Sequence, residues 1–386
     1  MAGPRVLLVF SADGTWCRSV LGGFVDCARG RDWNLLHYHP TADIDWLVET
    51  WSPAVVVTGP EFSGEPITRF GTAQLISVPV DRSEEGVASV CVDDERVAQL
   101  AAEHLLERGL GNLTTFRFDL STFATVREAA FIARAEEAGA YVAPGWGNST
   151  YAPAERGERP AALIEWLRSL PIPCGIFTCT DGWGRTVANW AREAGLRVPE
   201  DVAIIGANND VLECELIAPP LSSVMIPWEL VGQEAAEMAR AALANVTIAG
   251  RRSVVAPMAV VARRSTDLLA VDDELVIRAV AWIRDNAERR LTVPMVARAV
   301  GGGRQRLERR FRRALERTVQ DEIRRAHVER AMRLLATSTS PLSEIAKRSG
   351  FTNASLLNTA FQREVGTPPG AYRRRARRHH DKPKDE

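Results

Sequence analysis

Lysine is almost missing from this chain. Of 48 basic residues only Lys347, Lys382 and Lys384 are lysine. Arginine supplies the rest, a bias that points to a GC-rich genome more than to a particular chemistry. Cysteine is sparse too: the six, at 17, 27, 91, 174, 179 and 214, form no CxxC pair and no zinc-like spacing with histidine. They read as reduced, buried hydrophobes, Cys174 and Cys179 flanking a strand, IFT. His37 and His39 share one side of a short extended segment, but no third metal ligand accompanies them. No apolar run approaches a membrane span. The stretch 5–10 is too short for a signal peptide and reads as a first strand. There is no P-loop, no GxSxG and no HExxH. The run Gly301–Gly303 reads as flexibility in a turn rather than as a phosphate cradle. These absences leave no enzyme class, metal or cofactor to argue for.

What is present is polarity along the chain. Residues 272–386 hold 26 Lys+Arg against 15 Asp+Glu, whereas the first 271 residues hold 22 against 34. A near-neutral total of −1 therefore conceals a basic tail on an acidic body. A basic domain is the electrostatic footprint of phosphate binding. The stretch from Arg373 to Arg378, with His379 and His380, reads as a frayed tail adding nonspecific affinity.

The tail also carries a repeated pattern. In IAKRSGFTNASLLNTAFQREVGTPPGAYR, Ile345 and Ala346 pack a first helix and Gly350 permits a sharp turn. Leu357, Phe361 and Val365 form one stripe of a second helix. Gly366 ends that helix, and Pro368 and Pro369 prevent its continuation. Ala354, Ser355, Asn358, Thr359 and Gln362 are left on the outside. About fifty residues upstream the pattern recurs. There Val296 and Ala297 replace Ile345 and Ala346, Gly301 replaces Gly350, and Leu307, Phe311 and Leu315 repeat the stripe. The outer face of that copy carries Arg304, Gln305, Glu308, Arg309 and Arg312. Thr292 before Pro294, and Ser340 before Pro341, read as helix caps. The pattern predicts a first helix-turn-helix near 292–316, a linking helix near 318–336 and a second unit near 340–366. A helix of that length spans about 28 Å, close to the ~34 Å repeat of successive major grooves.

These residues, from about Asp273 to Arg378, resemble an AraC-type DNA-binding domain. The resemblance implies base contacts from Arg304, Gln305, Glu308, Arg309 and Arg312 in the first unit, and from Ala354, Ser355, Asn358 and Thr359 in the second. It also has departures. Glu316 stands where the family often has Gly, Gly303 where a Ser commonly caps, and Thr359 where a basic residue is frequent. The first unit is thus expected to carry more of the specificity.

The body alternates strand and helix patterns. Strands are expected at 5–10, 54–58, 75–80, 113–118, 175–180 and 202–207, with helices at 17–29, 95–108, 125–138, 161–170, 183–194 and 229–244. Such alternation argues for parallel, doubly wound sheets, which bind ligands at the carboxyl ends of their strands. Those ends are polar: Ser11 and Asp13, Asp119, Thr180 and Asp181, Asn208 to Asp210. The segments VDDERVAQLAAEHLLERG, REAAF, GLRVPEDVAIIGAN, PLSSV and VARRST, in that order, are similar to the LacI/GalR-type effector domain. This resemblance implies a two-lobed, periplasmic-binding-protein-like domain over 1–268, with the DNA-binding domain at 269–386.

The same resemblance implies a ligand set. Arg127 matches an arginine that holds a pair of sugar hydroxyls, Asp181 an acidic residue at the cleft, and Asn208 a position that is usually Asp in sugar-responsive members. Trp16, beside Asp13 and Arg18, and Trp183 are each either a stacking platform or core. Asp181 is either a ligand contact or a helix N-cap. The expected protein is a cytoplasmic transcriptional regulator, its effector a sugar such as xylose or a related carbohydrate. The implied partners are double-stranded operator DNA, RNA polymerase and a second copy in a homodimer, with no membrane and no cofactor. Two other classes stay in view: a DNA alkyl-transfer repair enzyme, which needs an activated cysteine, and a sugar-binding protein without regulation.

Overall fold

A computed structural model describes residues 3–11, 14–40, 44–60, 67–78, 87–118, 121–147, 159–267, 273–315, 317–338, 340–365 and 367–377. Asp13, Asp119, Glu316, Gly366, Arg378, His379 and His380, singled out above, lie outside them. The chain divides into two compact units at Thr266 and Asp267, two residues before the boundary expected from sequence.

Unit one contains two six-stranded sheets. In chain order the strands are β1 (Arg5–Val9), β2 (Asn34–Tyr38), β3 (Val55–Thr58), β4 (Gln74–Ser77), β5 (Ala88–Val92), β6 (Asn112–Phe116), β7 (Tyr141–Val142), β8 (Cys174–Thr178), β9 (Val202–Asn208), β10 (Ser222–Met225), β11 (Arg252–Val255) and β12 (Val260–Val261). The first sheet has the order β11-β5-β4-β3-β1-β2 and the second β12-β10-β9-β8-β6-β7. Every pairing is parallel except β10 with β12. The central strands are unbroken buried runs such as VVVT in β3 and CGIFT in β8, as expected of strands covered on both faces.

The covering helices are α1 (Thr15–Ala28), α2 (Ile44–Trp51), α3 (Asp94–Leu106), α4 (Thr122–Glu137), α5 (Arg159–Ser169), α6 (Asp181–Glu193), α7 (Val211–Glu215) and α8 (Trp228–Leu243). The six helices expected from sequence are all present, and α2 and α7 are additional. Helices α1 and α8 meet backbone to backbone. A Cβ on Gly23 would collide with the Glu229 carbonyl, and one on Gly232 with the Val20 carbonyl.

The chain passes between the sheets three times: from β5 into α3, from β10 into α8, and from β11 to β12. Backbone bonds hold these passages side by side, with Asp93 N donating to Val255 O at 3.0 Å and Met258 N to Met225 O at 2.9 Å. Asp93 also caps α3 by accepting from Arg96 N.

Unit two is helical: α9 (Glu274–Asp285), α10 (Val293–Ala299), α11 (Arg304–Leu315), α12 (Val319–Thr337), α13 (Leu342–Arg348), α14 (Ala354–Val365) and α15 (Pro369–Arg377). Its first core joins Val276, Val280 and Ile283 of α9 to Val296, Leu307, Phe311 and Ile323. The duplicated pattern is duplicated geometry. Gly301 and Gly350 have φ of 69° and 75°. Gly302 N donates to Ala297 O, and Phe351 N to Ala346 O, both at 2.9 Å. Each first helix therefore ends in the same glycine-closed turn.

Two expectations need correction. Neither Thr292 nor Ser340 makes a side-chain cap: Thr292 is the N-cap residue without such a bond, and Pro341 precedes α13. Pro369 comes after α14 has ended at Val365, as expected. It is buried and opens α15, because its missing N–H falls at the start of a helix where none is needed. Consequently Arg373–Arg377 are helical rather than frayed.

Candidate ligand cleft and nucleic-acid interface

The carboxyl ends of the strands in unit one collect polar groups that the fold leaves unused. Thr58 and Ser77 are register partners at the ends of β3 and β4. Both hydroxyls are buried without a hydrogen-bond partner. In the second sheet Asp181 opens α6 directly after β8, and Asn208 ends β9. Asp181 is 1% exposed. Its Oδ2 accepts from Asp210 N at 2.7 Å, while Oδ1 has no partner. Burial pushes its carboxyl up to about 7, against hydrogen bonds and the Arg263 charge that pull it down. Asp181 is not the N-cap; Thr180 is, accepting from Trp183 N. Asn208 has φ 107° and its Oδ1 is also unpartnered. A strained backbone with an orphan acceptor is a combination found where a ligand completes the site.

Aromatic rings stand on both sides. Trp16 of α1, half-buried, lies 5.4 Å from Trp228, the first residue of α8. The indole Nε1 of Trp228 is buried without an acceptor. Trp183 of α6 stacks near Phe123 at 6.3 Å and meets Phe118 edge-on at 6.1 Å. Both tryptophans are thus packed against other rings and still partly open. Arg18 is exposed. Sequence reasoning missed Trp228, Phe118, Phe123, Thr58 and Ser77. The signal available was position: each stands at a strand end or at the first turn of the following helix.

Arg127 requires a correction. It is 2% exposed, inside the second turn of α4. Its Nε donates to Asp94 Oδ1 at 2.7 Å and its Nη1 to Cys179 O at 2.6 Å. The guanidinium also lies 5.0 Å over the Phe123 ring. Its fork is occupied by Asp94 of α3 and the Cys179 carbonyl just after β8, so it braces the second lobe instead of holding a hydroxyl pair. Burial raises the Asp94 carboxyl, and Arg127 opposes that shift.

Four of the cysteines, at 27, 174, 179 and 214, have thiols held above their ordinary range, unlike an activated nucleophile. Cys174 and Cys179 are pushed up to about 12, and Cys214 well above its ordinary value, all by burial. Cys27 is also raised, first by burial and then by Glu237. Among the described residues no group of three or more His, Cys, Asp or Glu could hold a metal ion. Among them, too, no helix is long and apolar enough to cross a membrane.

In unit two, α11 turns Arg304, Gln305, Arg306, Arg309, Arg312 and Arg313 to solvent, while Leu307 and Phe311 are buried. Arg304 pairs with Glu308 at 3.1 Å, and Arg310 is drawn off to the cap residue Asp273 at 3.0 Å. Helix α14 is capped by Asn353, which accepts from Leu356 N. It exposes Ser355, Asn358, Thr359 and Gln362, with Ala354 half-buried. Leu315 and Val365, expected in the buried stripes, are only half-buried. Arg373 is half-buried and donates to Ser340 O, which ties α15 to the start of α13.

The linking helix α12 is braced to both recognition units. Thr318 and Asp321 form a capping box at its start, and Thr318 holds the Asp321 carboxyl down at about 2. Arg324 joins Asp321 to Glu364 of α14. Glu322, buried, sits between Arg284 at 3.3 Å and Arg317 at 2.7 Å.

Comparison with known proteins agrees with this division. Residues 102–266 match a periplasmic binding protein-like domain and residues 296–375 a helix-turn-helix domain. The chain is 27% identical over 379 residues to the xylose operon regulatory protein of Escherichia coli K12, covering 96% of each. It is 27% identical over 287 residues to that of Haemophilus influenzae, covering 74% of each. The solved structure of the xylose-binding transcription activator xylR superposes with a TM-score of 0.61 at 25% identity, covering 96% of this chain and 97% of that one.

Proposed function

From the premise that the chain is an AraC-type helix-turn-helix transcriptional regulator carrying a periplasmic-binding-protein-like effector domain, we propose that it senses a pentose such as xylose, or a closely related carbohydrate, and controls genes for its use. The observation that carries the sugar is the pairing of ring faces with unused hydrogen-bonding groups. Trp16 and Trp183, both half-buried, offer surfaces for the C–H face of a sugar. The hydroxyls of Thr58 and Ser77, Asp181 Oδ1, Asn208 Oδ1 and Trp228 Nε1 have no protein partner and can be satisfied by hydroxyl groups. Asn208 lacks the charge of the aspartate usual in sugar-responsive members but keeps an acceptor oxygen. Arg18, exposed on α1, and Asp13, which lies outside the described residues, complete the proposed ligand set.

The DNA half reads its operator through α11 and α14. Arg304, Gln305, Glu308, Arg309 and Arg312 meet base edges or phosphates of one half-site, and Ala354, Ser355, Asn358 and Thr359 those of the next. Arg309→Ala should cost about 1–3 kcal/mol on the specific site and relax selection at one base pair. Arg373 contributes by fixing α15, so Arg373→Ala weakens all sequences alike. Equal losses on specific and random duplexes for both variants would move the recognition surface elsewhere. The regulator works in the cytoplasm as a homodimer that meets RNA polymerase at the promoter. Sedimentation at micromolar concentration tests the dimer, and a monomer would remove it from the account.

A thermal-shift panel of pentoses, hexoses, sugar acids and polyols tests the effector. A ligand at a hundred times its Kd adds about 2.7 kcal/mol to the native state. A pentose-selective shift that Trp228→Ala removes is expected. A flat panel would mean that the cleft serves another ligand class.

A further inference from the structure

The two recognition helices carry different chemistry at equivalent positions. With Leu307 aligned to Leu357, Arg306 falls on Leu356 and Arg309 on Thr359. Helix α14 has no charged residue before Arg363. Leu356 is 52% exposed, although Leu357 beside it is fully buried, so its side chain belongs to the outer face and not to the core. Thr359 lies one turn further along the same flank. Its hydroxyl donates to Ser355 O at 3.1 Å, which leaves its methyl group as what it offers outward. Ala354, at the start of the helix, adds another methyl.

Single exposed leucines are ordinary on protein surfaces. This one stands in the third position of a recognition helix, where the sister unit has arginine, and its neighbour one turn away has turned its polar atom inward. In the major groove, arginine pairs bidentately with guanine, whereas apolar side chains meet the thymine 5-methyl group. We propose that α14 reads thymine by its methyl group, through Leu356 and the Thr359 methyl, so that the operator joins a guanine-directed half-site under α11 to a thymine-directed half-site under α14. Asn358, exposed on the same helix, carries an amide of the kind that pairs bidentately with adenine. The second half-site is therefore richer in A·T pairs than the first.

The inference rests on α14 entering a groove, and its test separates the two ideas. The full-length protein first selects duplexes from a random pool, and Arg309→Ala marks which half-site lies under α11. Each thymine of the other half-site is then replaced by deoxyuridine, which removes only the methyl. At one contacted position the wild-type protein should lose about fourfold in affinity, the worth of one buried methyl. Leu356→Ala, which alters an exposed side chain, should discriminate thymine from uracil less than the wild type does, and unchanged discrimination would remove Leu356 from the reading. If uracil is tolerated by the wild type but a C·G pair at the same position is not, the methyl reading is wrong while α14 still reads bases. If neither change in that half-site matters, α14 reads no bases, and the two-helix account falls with it.

Discussion

Arg127 separates the two ways of reading this chain. By resemblance it is a sugar ligand; by contact it is a brace between α4, Asp94 of α3 and the carbonyl of Cys179. The resemblance placed the residue on the right helix, but it could not reveal that a carboxylate 33 positions upstream fills the fork. Breaking a buried pair strands the remaining charge and costs about 3–5 kcal/mol. Arg127→Ala should therefore lower the melting temperature of the effector domain with no sugar present. An unchanged melting temperature with only the sugar response lost would restore the ligand role. Asp181 was legible as an acid at a strand end, but its burial was not. With a folded value of about 7 against an ordinary 3.8, it holds a proton in the native state that the unfolded chain has released. Its contribution to stability therefore falls as pH rises from about 4 to 7. Asp181→Asn should flatten that part of the profile of stability against pH. An unaltered slope would show that the carboxyl is already ionised.

At the scale of elements, the legible parts were those whose burial matches their composition. The runs in β1, β3 and β8 and the six expected helices fall in this class, their ends shifted by a few residues. Edge strand β2 escaped because it is only half-covered. Strand β10 escaped because Ser222 and Ser223 look like a turn. Inside the sheet, Ser222 Oγ accepts from Arg263 N at 2.8 Å, so a buried hydroxyl costs little there. The helix-turn-helix pair was legible because its glycines are forced. Gly301→Ala meets an adverse φ but open space, and should cost about 1 kcal/mol. Gly350→Ala meets the same φ and the His327 ring as well, so it should cost clearly more in thermal unfolding. Equal costs would mean that His327 moves aside freely. At the head of α12, Thr318→Ala should remove about 1 kcal/mol. The Asp321 contribution, present above about pH 4 and lost as pH falls toward 2, should go with it. Acid unfolding curves of the two proteins that coincide would argue against the capping box.

At the scale of the whole molecule, an acidic sensor is joined to a basic reader, and net charge alone conceals both. The basic half predicts a steep fall in DNA affinity with salt, since each phosphate neutralised releases counterions. The acidic half predicts that sugar binding is nearly indifferent to salt. What makes the two halves one regulator is a difference in sugar affinity between DNA-bound and free protein, and that difference is reciprocal. The measurement that reaches this claim most directly is a titration of the full-length protein onto its selected operator, with and without saturating xylose or whichever sugar the thermal panel picks out. The operator Kd should change by at least about fivefold, the lower end of ordinary allosteric coupling. The sugar Kd should change by the same factor when operator is present. Identical operator affinity in both titrations, with the sugar demonstrably bound, would show that the cleft and the DNA-binding helices are uncoupled.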